Sequence, residues 1–184
     1  MRAGRGFDEI ITIAEDYLIE EDAAGVLATL EQLTPQQQAR PYALYLRGMA
    51  EAISGQTLQA VFDLQKASLR LSDFPPVFMN LAFACVHMGW IRMGWYYAEQ
   101  YLRRKPKDPE AERMAEEMIA LAQDVLLGEA EKLGVTLERM KKAAFAHERA
   151  QLALQQKRYR QVLSETQKAI RQISHWVQPR NNRT

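Results

Sequence analysis

Residues 75–94 read PPVFMNLAFACVHMGWIRMG, and residues 41–60, PYALYLRGMAEAISGQTLQA, follow the same pattern 34 positions earlier. Each segment opens with proline, continues as an apolar run and reaches a glycine, Gly89 or Gly55, where a helix is expected to end. A unit of this length holds two antiparallel helices of about 13 residues with two short turns. The stretch therefore predicts helical hairpins that recur along the chain.

The register extends in both directions from these two segments. Small or slim residues recur at multiples of 34 positions, namely Ala14, Gly48, Ala82 and Ala150 on the first helices and Val26, Ala60, Gly94 and Val162 on the second. Small residues let two helices approach closely, so each such pair is expected to lie where the helices of a unit meet. One unit cannot bury its apolar faces alone, and we therefore predict that neighbouring units stack.

This pattern resembles the tetratricopeptide repeat, a 34-residue helical hairpin. The residues that match its signature best are Phe78, Leu81, Ala82 and Pro106. The residues that depart from it include Arg47, Glu51, Arg149 and Thr166. The resemblance implies an all-α fold, a right-handed α-solenoid, with three helix pairs in residues 1–106 at about 7–33, 41–72 and 75–106.

The repeat breaks between residues 107 and 135. A hairpin there would need a turn near Gln123, but an amphipathic stripe runs through this point, made of Met114, Met118, Leu121, Ala122, Val125 and Leu126. Pro109 suits a first helical turn and Gly134 a helix end, which predicts one long helix from 109 to about 132. We expect a second long helix over about 136–156, with Thr136 as its cap, and a terminal helix over about 159–174. These two would form a further repeat-like pair within 136–174. Residues 175–184 are predicted to be a basic flexible tail or the start of a further repeat.

Composition and charge narrow the class of protein. The chain has 184 residues, 47% of them hydrophobic, and a net charge of +1, which fits one globular domain without a general attraction to nucleic acid or membranes. Charge is uneven, since residues 1–40 hold eight acidic and three basic side chains and residues 139–184 hold two and eleven. The amino terminus lacks the apolar segment of a signal peptide, and no apolar run is long enough to span a membrane. The single cysteine, Cys85, rules out an internal disulfide, and we expect a cytoplasmic protein.

The family resemblance implies that the first helix of each unit lines a concave surface where partners bind. Helix geometry assigns to this surface the face opposite the small packing residues. That face holds Tyr42, Tyr45, Met49 and Ile53 in the second unit, and Pro76, Met79, Phe83, Val86 and His87 in the third, with Asn80 at the edge. An apolar, aromatic groove suits an amphipathic helix or an apolar peptide. We therefore expect a non-catalytic scaffold whose groove binds another protein or peptide.

Two alternatives stay open at this point. In the first, the chain itself covers the groove, through the long helix 109–132 or through residues beyond 184. In the second, the protein is a structural or assembly subunit, or the amino-terminal piece of a longer repeat protein. Its acidic amino-terminal and basic carboxyl-terminal ends would then associate head to tail.

A basic patch is the second candidate site. It consists of Arg139, Lys142, Arg149, Lys157, Arg160, Lys168 and Arg171. Such a stripe attracts nucleic acid or an acidic protein. The aromatic–basic interleaving of single-strand binders is missing, so a solvated helix face is favoured and nucleic acid is not the expected partner.

Catalytic and metal sites find no support in the sequence. No phosphate loop or nucleophile motif is present, and we expect neither an enzyme nor a cofactor. The histidines, His87, His147 and His175, lack further ligands at metal-binding spacing, so no metal is expected.

Three further features are expected to be structural. A carboxylate clamp, as in tetratricopeptide co-chaperones, needs several charge-assisted bonds, and Asn80 alone does not supply them. The duplicated Met-Gly-Trp places Trp90 at a turn and Trp95 on the following helix, and aromatic residues at helical spacing are most often core residues. Cys85 falls at a helix-packing position and is predicted to be buried and inert.

Overall fold

The structure, a computed structural model, describes residues 6–176, which form ten α-helices and no β-strand. The prediction of an all-α fold is confirmed. The helices are α1 (Phe7–Ile19), α2 (Ala23–Leu30), α3 (Pro35–Gln38), α4 (Pro41–Ile53), α5 (Thr57–Ser68), α6 (Pro75–His87), α7 (Ile91–Leu102), α8 (Pro109–Lys132), α9 (Leu137–Gln155) and α10 (Tyr159–Gln172).

Helices that follow one another in the chain pack against one another. The most extensive packing is between α9 and α10, α4 and α5, and α6 and α7. Helices α1 and α2 also pack together, and α2–α4, α5–α6 and α7–α8 join one pair to the next helix. The short α3, which the sequence did not predict, is held by a capping box between Thr34 and Gln37. One apolar cluster therefore runs through the pairs from α1 to α8.

A left-handed backbone turn recurs in the predicted 34-residue register. Gly55 and Gly89 have φ of +77° and +72°, and the predicted helix ends at these glycines are confirmed. Glu21 and Lys157 stand 34 and 68 positions further out and have φ of +56° and +57°. Both residues carry a β-carbon, so the turn forms there although the side chain disfavours it.

The close approach predicted for the small residues is confirmed at two glycines. A β-carbon on Gly48 would lie 3.3 Å from the Ala60 carbonyl oxygen, and one on Gly94 would lie 3.2 Å from the Ala82 oxygen. These are the partners expected from the repeat, and all four residues are buried. The two helices of a unit therefore meet backbone to backbone at these positions.

An ion triad recurs at three times the repeat length. Asp63 of α5 is buried and binds the guanidinium of Arg47 of α4 and the ammonium of Lys66. The residues 102 positions later, Arg149 of α9 with Glu165 and Lys168 of α10, form the same triad, with N–O distances of 3.2 and 2.9 Å. A buried carboxylate needs such partners, and α9–α10 satisfies this need in the same way as α4–α5.

The single long helix predicted from 109 to about 132 is observed as α8. It runs without interruption from Pro109 to Lys132, and Asp108 caps it by accepting hydrogen bonds from two backbone N–H groups. Gly134 follows with φ of +61°, and the Thr136 hydroxyl accepts from the Arg139 N–H to cap α9. The predicted helix ends at 132, 156 and 174 lie within two residues of those observed.

Trp176, which belongs to the predicted carboxyl-terminal tail, packs into the fold. Ile173 and Trp176 are buried in a second apolar cluster with Trp95, Ala122, Leu126 and Met140. The flexible tail predicted from residue 175 therefore does not start there, because Trp176 is anchored against α8 and α9. Residues 177–184 of that prediction lie outside the described residues.

Candidate functional site

Two residues predicted for the open groove wall lie in the core. Tyr45 and Met79 are only 8% and 5% exposed, so the expectation that they line an accessible surface is wrong. The Tyr45 ring packs edge-on against Phe74, at 5.1 Å between centroids, and its hydroxyl accepts a hydrogen bond from the Asn80 amide at 3.3 Å. Tyr45 thus faces the next first helix, α6. Asn80 is held by this contact rather than presented as a clamp.

The remaining second-unit residues form a partly covered wall. Tyr42 and Met49 are half-buried, while Ile53 is exposed at the end of α4. Pro76 of the third unit, in the first turn of α6, is half-buried as well. The Tyr42 hydroxyl donates a 2.6 Å hydrogen bond to the Glu15 carboxylate and so ties α4 to α1. This part of the predicted surface holds neighbouring units together more than it offers a groove.

The third-unit residues do line an open groove. Phe83, Val86 and His87 of α6 face the predicted stripe of α8 across a groove of about 310 Å³. Its other lining residues are Ile91, Met114, Glu117, Met118, Leu121, Ala122 and Val125. The long helix therefore forms the second wall of the groove instead of filling it.

The α8 wall combines an apolar stripe with an acidic edge. Leu121 and Val125 are 67% and 51% exposed, and Met114 is also exposed, although apolar side chains of this size are normally covered. The stripe Met114, Met118, Leu121 and Val125 has the 4-3-4 spacing of a helix-packing seam. Beside it, acidic residues recur every seven positions, at Glu110, Glu117, Asp124 and Glu131.

A second cleft of about 590 Å³ continues the groove between α8 and α9. It shares Ile91 and Val125 with the groove and adds Met140, Ala144 and Trp176 as apolar lining. His147 and Glu148 are its buried polar residues. His147 packs against the Trp176 ring at 5.3 Å, and burial lowers the pKa of its imidazole.

Glu148 has a structural role that the sequence did not reveal. Its carboxylate accepts hydrogen bonds from the backbone N–H groups of Arg92 and Met93, at 2.9 and 2.6 Å, in the first turn of α7. The residue that precedes α7, Trp90, offers no side-chain cap, so α9 supplies it from 55 positions away. No local signal could have shown this contact, because capping patterns are read within a few residues. Both carboxylate oxygens are thereby engaged.

The basic patch is brought together only in part. Lys142, Arg149 and Lys168 lie around one depression with Phe145, and Arg149 and Lys168 are paired with Glu165. Arg139 donates to the Gln172 carbonyl. Lys157 is exposed in the turn between α9 and α10, and Arg160 and Arg171 are exposed on α10. Two of the seven cations thus neutralise a buried acid.

The residues predicted to be core are buried. Trp90 and Trp95 pack inside, and the Arg92 guanidinium lies 4.9 Å from the Trp95 ring centroid. Cys85 is fully buried, and burial raises the pKa of its thiol, which keeps it protonated. The predicted burial of these three residues is confirmed.

None of the helices in residues 6–176 combines the length and apolarity that crossing a bilayer requires. Comparison with protein-family models, with curated proteins and with solved structures finds no match to this chain.

Proposed function

We propose that this protein is a non-catalytic binding module of the tetratricopeptide-like solenoid kind, and that the groove between α6 and α8 binds a basic amphipathic helix. The left-handed turns at 34-residue intervals and the recurrent Arg–acid–Lys triad support the solenoid part of the proposal. The single cysteine is compatible with the cytoplasm as its setting.

The exposed seam on α8 carries the binding part of the proposal. Leu121 and Val125 expose large apolar side chains toward a groove whose other wall is Phe83 and Val86. Helices that enter such grooves present apolar anchors at i, i+4, i+7 and i+11, which is the spacing of the α8 seam itself. Apolar burial would supply the affinity.

Charge selects among amphipathic helices. Helix α8 holds seven acidic and two basic side chains, and Glu117 lines the groove. Complementary charge raises the association rate and disfavours partners of like charge. The proposal therefore favours a helix whose apolar stripe is flanked by arginine or lysine.

A pair of synthetic helical peptides tests this function. Both carry leucines at heptad spacing, one with flanking arginines and the other with flanking glutamates, and binding is measured by fluorescence anisotropy. We expect the arginine peptide to bind at least tenfold more tightly, and Leu121→Asp to remove most of this binding.

Ile19→Asp is the matched control, because Ile19 is 81% exposed on α1 and lies away from the groove. It should bind the arginine peptide as the unaltered chain does. Circular dichroism verifies that both variants stay helical. Equal binding by Leu121→Asp and the unaltered chain, or no binding of either peptide, would refute the groove assignment.

A further inference from the structure

Helix α10 leaves one apolar face without a partner. Tyr159 and Leu163 are 63% and 56% exposed, and Ile170 is half-buried on the same side of the helix. Arg160 and Arg171 lie beside this stripe. The helix has one acidic residue, Glu165, which is buried in its ion triad. Helix α10 therefore carries an exposed apolar stripe, Tyr159 and Leu163, beside its buried face and next to a positive edge.

The residues that stand at the position of Leu163 in the α4–α5 and α6–α7 pairs are buried under the next helix. The shared Arg–acid–Lys triad aligns α9–α10 with α4–α5 at an offset of 102 residues, and this offset places Leu163 on Val61. Val61 is 0% exposed on α5, which packs against α6. Trp95 holds the same position on α7, which packs against α8, and is also buried. No helix among residues 6–176 covers α10 in the corresponding way.

Charge distinguishes the candidate occupants of the α10 face. Residues 177–184 contain Arg180 and Arg183 and no acidic residue, so their charge does not complement it. A second α10 would bring its own Arg160 and Arg171 against like charges. The α8 seam has the required chemistry, since it is an exposed apolar stripe edged by Glu110, Glu117, Asp124 and Glu131.

We infer that α10 of one molecule docks its Tyr159–Leu163–Ile170 face into the α6–α8 groove of a second copy of this chain. This inference rests on the proposed function, because it names the occupant of the same groove. Each of the two unpartnered faces carries the charge that the other lacks. Leucine against leucine and arginine against glutamate would form the contact.

The contact is heterologous, because groove and docking face are different surfaces of the molecule. Each copy keeps a free groove at one end of the pair and a free α10 at the other. Association of this kind continues into open chains or closes into rings. The average molar mass should therefore rise beyond that of a dimer as the concentration increases.

A complementation experiment with two variants tests the inference by analytical ultracentrifugation. Leu163→Asp disables the docking face and Leu121→Asp disables the groove. Each variant alone should remain at the chain mass of 21.1 kDa at concentrations where the unaltered chain associates. An equimolar mixture retains one intact groove and one intact docking face, so it should form a pair at twice that mass and grow no further.

Ile19→Asp, remote from both faces, should associate as the unaltered chain does. If Leu163→Asp loses helicity by circular dichroism, Tyr159→Ser tests the same face with a milder change. Raising salt from about 50 to 500 mM should weaken association, because exposed charges are screened.

Two results would overturn the inference. One is a chain that stays monomeric at all concentrations, and the other is a mixture of the two variants that fails to pair. If the arginine peptide still binds while the chain is monomeric, the proposed function holds and only the second-copy occupant is wrong. If the peptide and the second copy both fail to bind, the groove itself is not a binding site.

Discussion

At Gly94 the fold leaves no room for a β-carbon. An added methyl group would stand 2.6 Å from Val86 Cγ2 and 3.2 Å from the Ala82 carbonyl oxygen. The valine branch and the backbone oxygen cannot both yield, so overpacking outweighs the gain in helix propensity. We expect Gly94→Ala to lower the free energy of unfolding by roughly 1–2 kcal/mol in urea titrations.

Gly128→Ala is a control for which the free energy of unfolding is expected to change in the opposite direction. Gly128 also lies inside a helix, α8, but no atom stands within 4 Å of its would-be β-carbon. Gly128→Ala should therefore raise the free energy of unfolding by about 0.5–1 kcal/mol. Equal effects at the two glycines would mean that close helix approach is not the reason for glycine at position 94.

A single repeat position explains why Tyr45 and Met79 were wrongly predicted to line the groove. Residues 11, 45 and 79 share one repeat position, and all three side chains are buried. Helical spacing places this position on the face of the first helix that was predicted to line the groove. The Tyr45 ring instead turns toward α6 and Phe74. A helical wheel does not distinguish a face that lines a groove from one that touches the neighbouring first helix.

At the level of secondary-structure elements, α9 stabilises the first turn of α7. Glu148 caps α7 through the backbone of Arg92 and Met93, and burial raises the pKa of its carboxyl to about 7. The ordinary glutamate pKa in an unfolded chain is about 4.3. Because the folded pKa is the higher one, the stability contribution is complete below about pH 4.3 and is lost as pH rises through about 7.

We therefore expect the free energy of unfolding to fall between pH 5 and pH 8 in the unaltered chain. In Glu148→Gln this fall should be smaller by roughly 2 kcal/mol, since glutamine does not titrate. Urea titrations at pH 5, 6.5 and 8 measure the difference.

Glu51 is the necessary comparison for this experiment. Burial and the neighbouring Asp63 raise the pKa of its carboxyl to about 7 as well. Glu51→Gln measured on its own separates this second source of pH dependence. An unchanged pH slope in Glu148→Gln would show that the cap titrates at an ordinary pKa.

Helix α8 is one continuous helix where the 34-residue spacing would place the turn of a hairpin. Gln123 stands at the repeat position where Gly55 and Gly89 end their helices, and it continues the helix instead. The apolar seam of α8 stays exposed along the groove, because no helix among residues 6–176 folds back over it. The uninterrupted course of α8 thus leaves the candidate site open.

On the scale of the whole molecule, the carboxyl-terminal segment closes a second core. Trp176 lies against His147 and joins Trp95, Leu126 and Met140 in one buried cluster. Its loss would leave a large cavity between α8 and α9. We expect Trp176→Ala to reduce the free energy of unfolding by about 3 kcal/mol, measured by circular dichroism in urea.

Ile19→Ala serves as the control for this variant, because Ile19 is exposed and should change stability by less than about 0.5 kcal/mol. A Trp176→Ala chain as stable as this control would mean that the segment after α10 does not hold the second cluster together.

The sequence by itself determined the helices other than α3, the 34-residue spacing of their glycines and small residues, and the uninterrupted course of α8. These features depend on local signals, namely apolar spacing, capping side chains such as Thr136, and glycines such as Gly55 and Gly89 at left-handed turns. The small residues also predicted where paired helices meet, because a close approach excludes larger side chains whatever lies around them.

Only the tertiary structure decided which faces stay open. Tyr45 and Phe83 are both aromatic residues on first helices, yet Tyr45 is enclosed by α6 and Phe74, whereas Phe83 meets an open groove. The Glu148 cap on α7 and the uncovered Leu163 likewise depend on residues far away in the chain. Exposure is a property of what packs against a residue, and local periodicity carries no information about a neighbour 30 or more positions away.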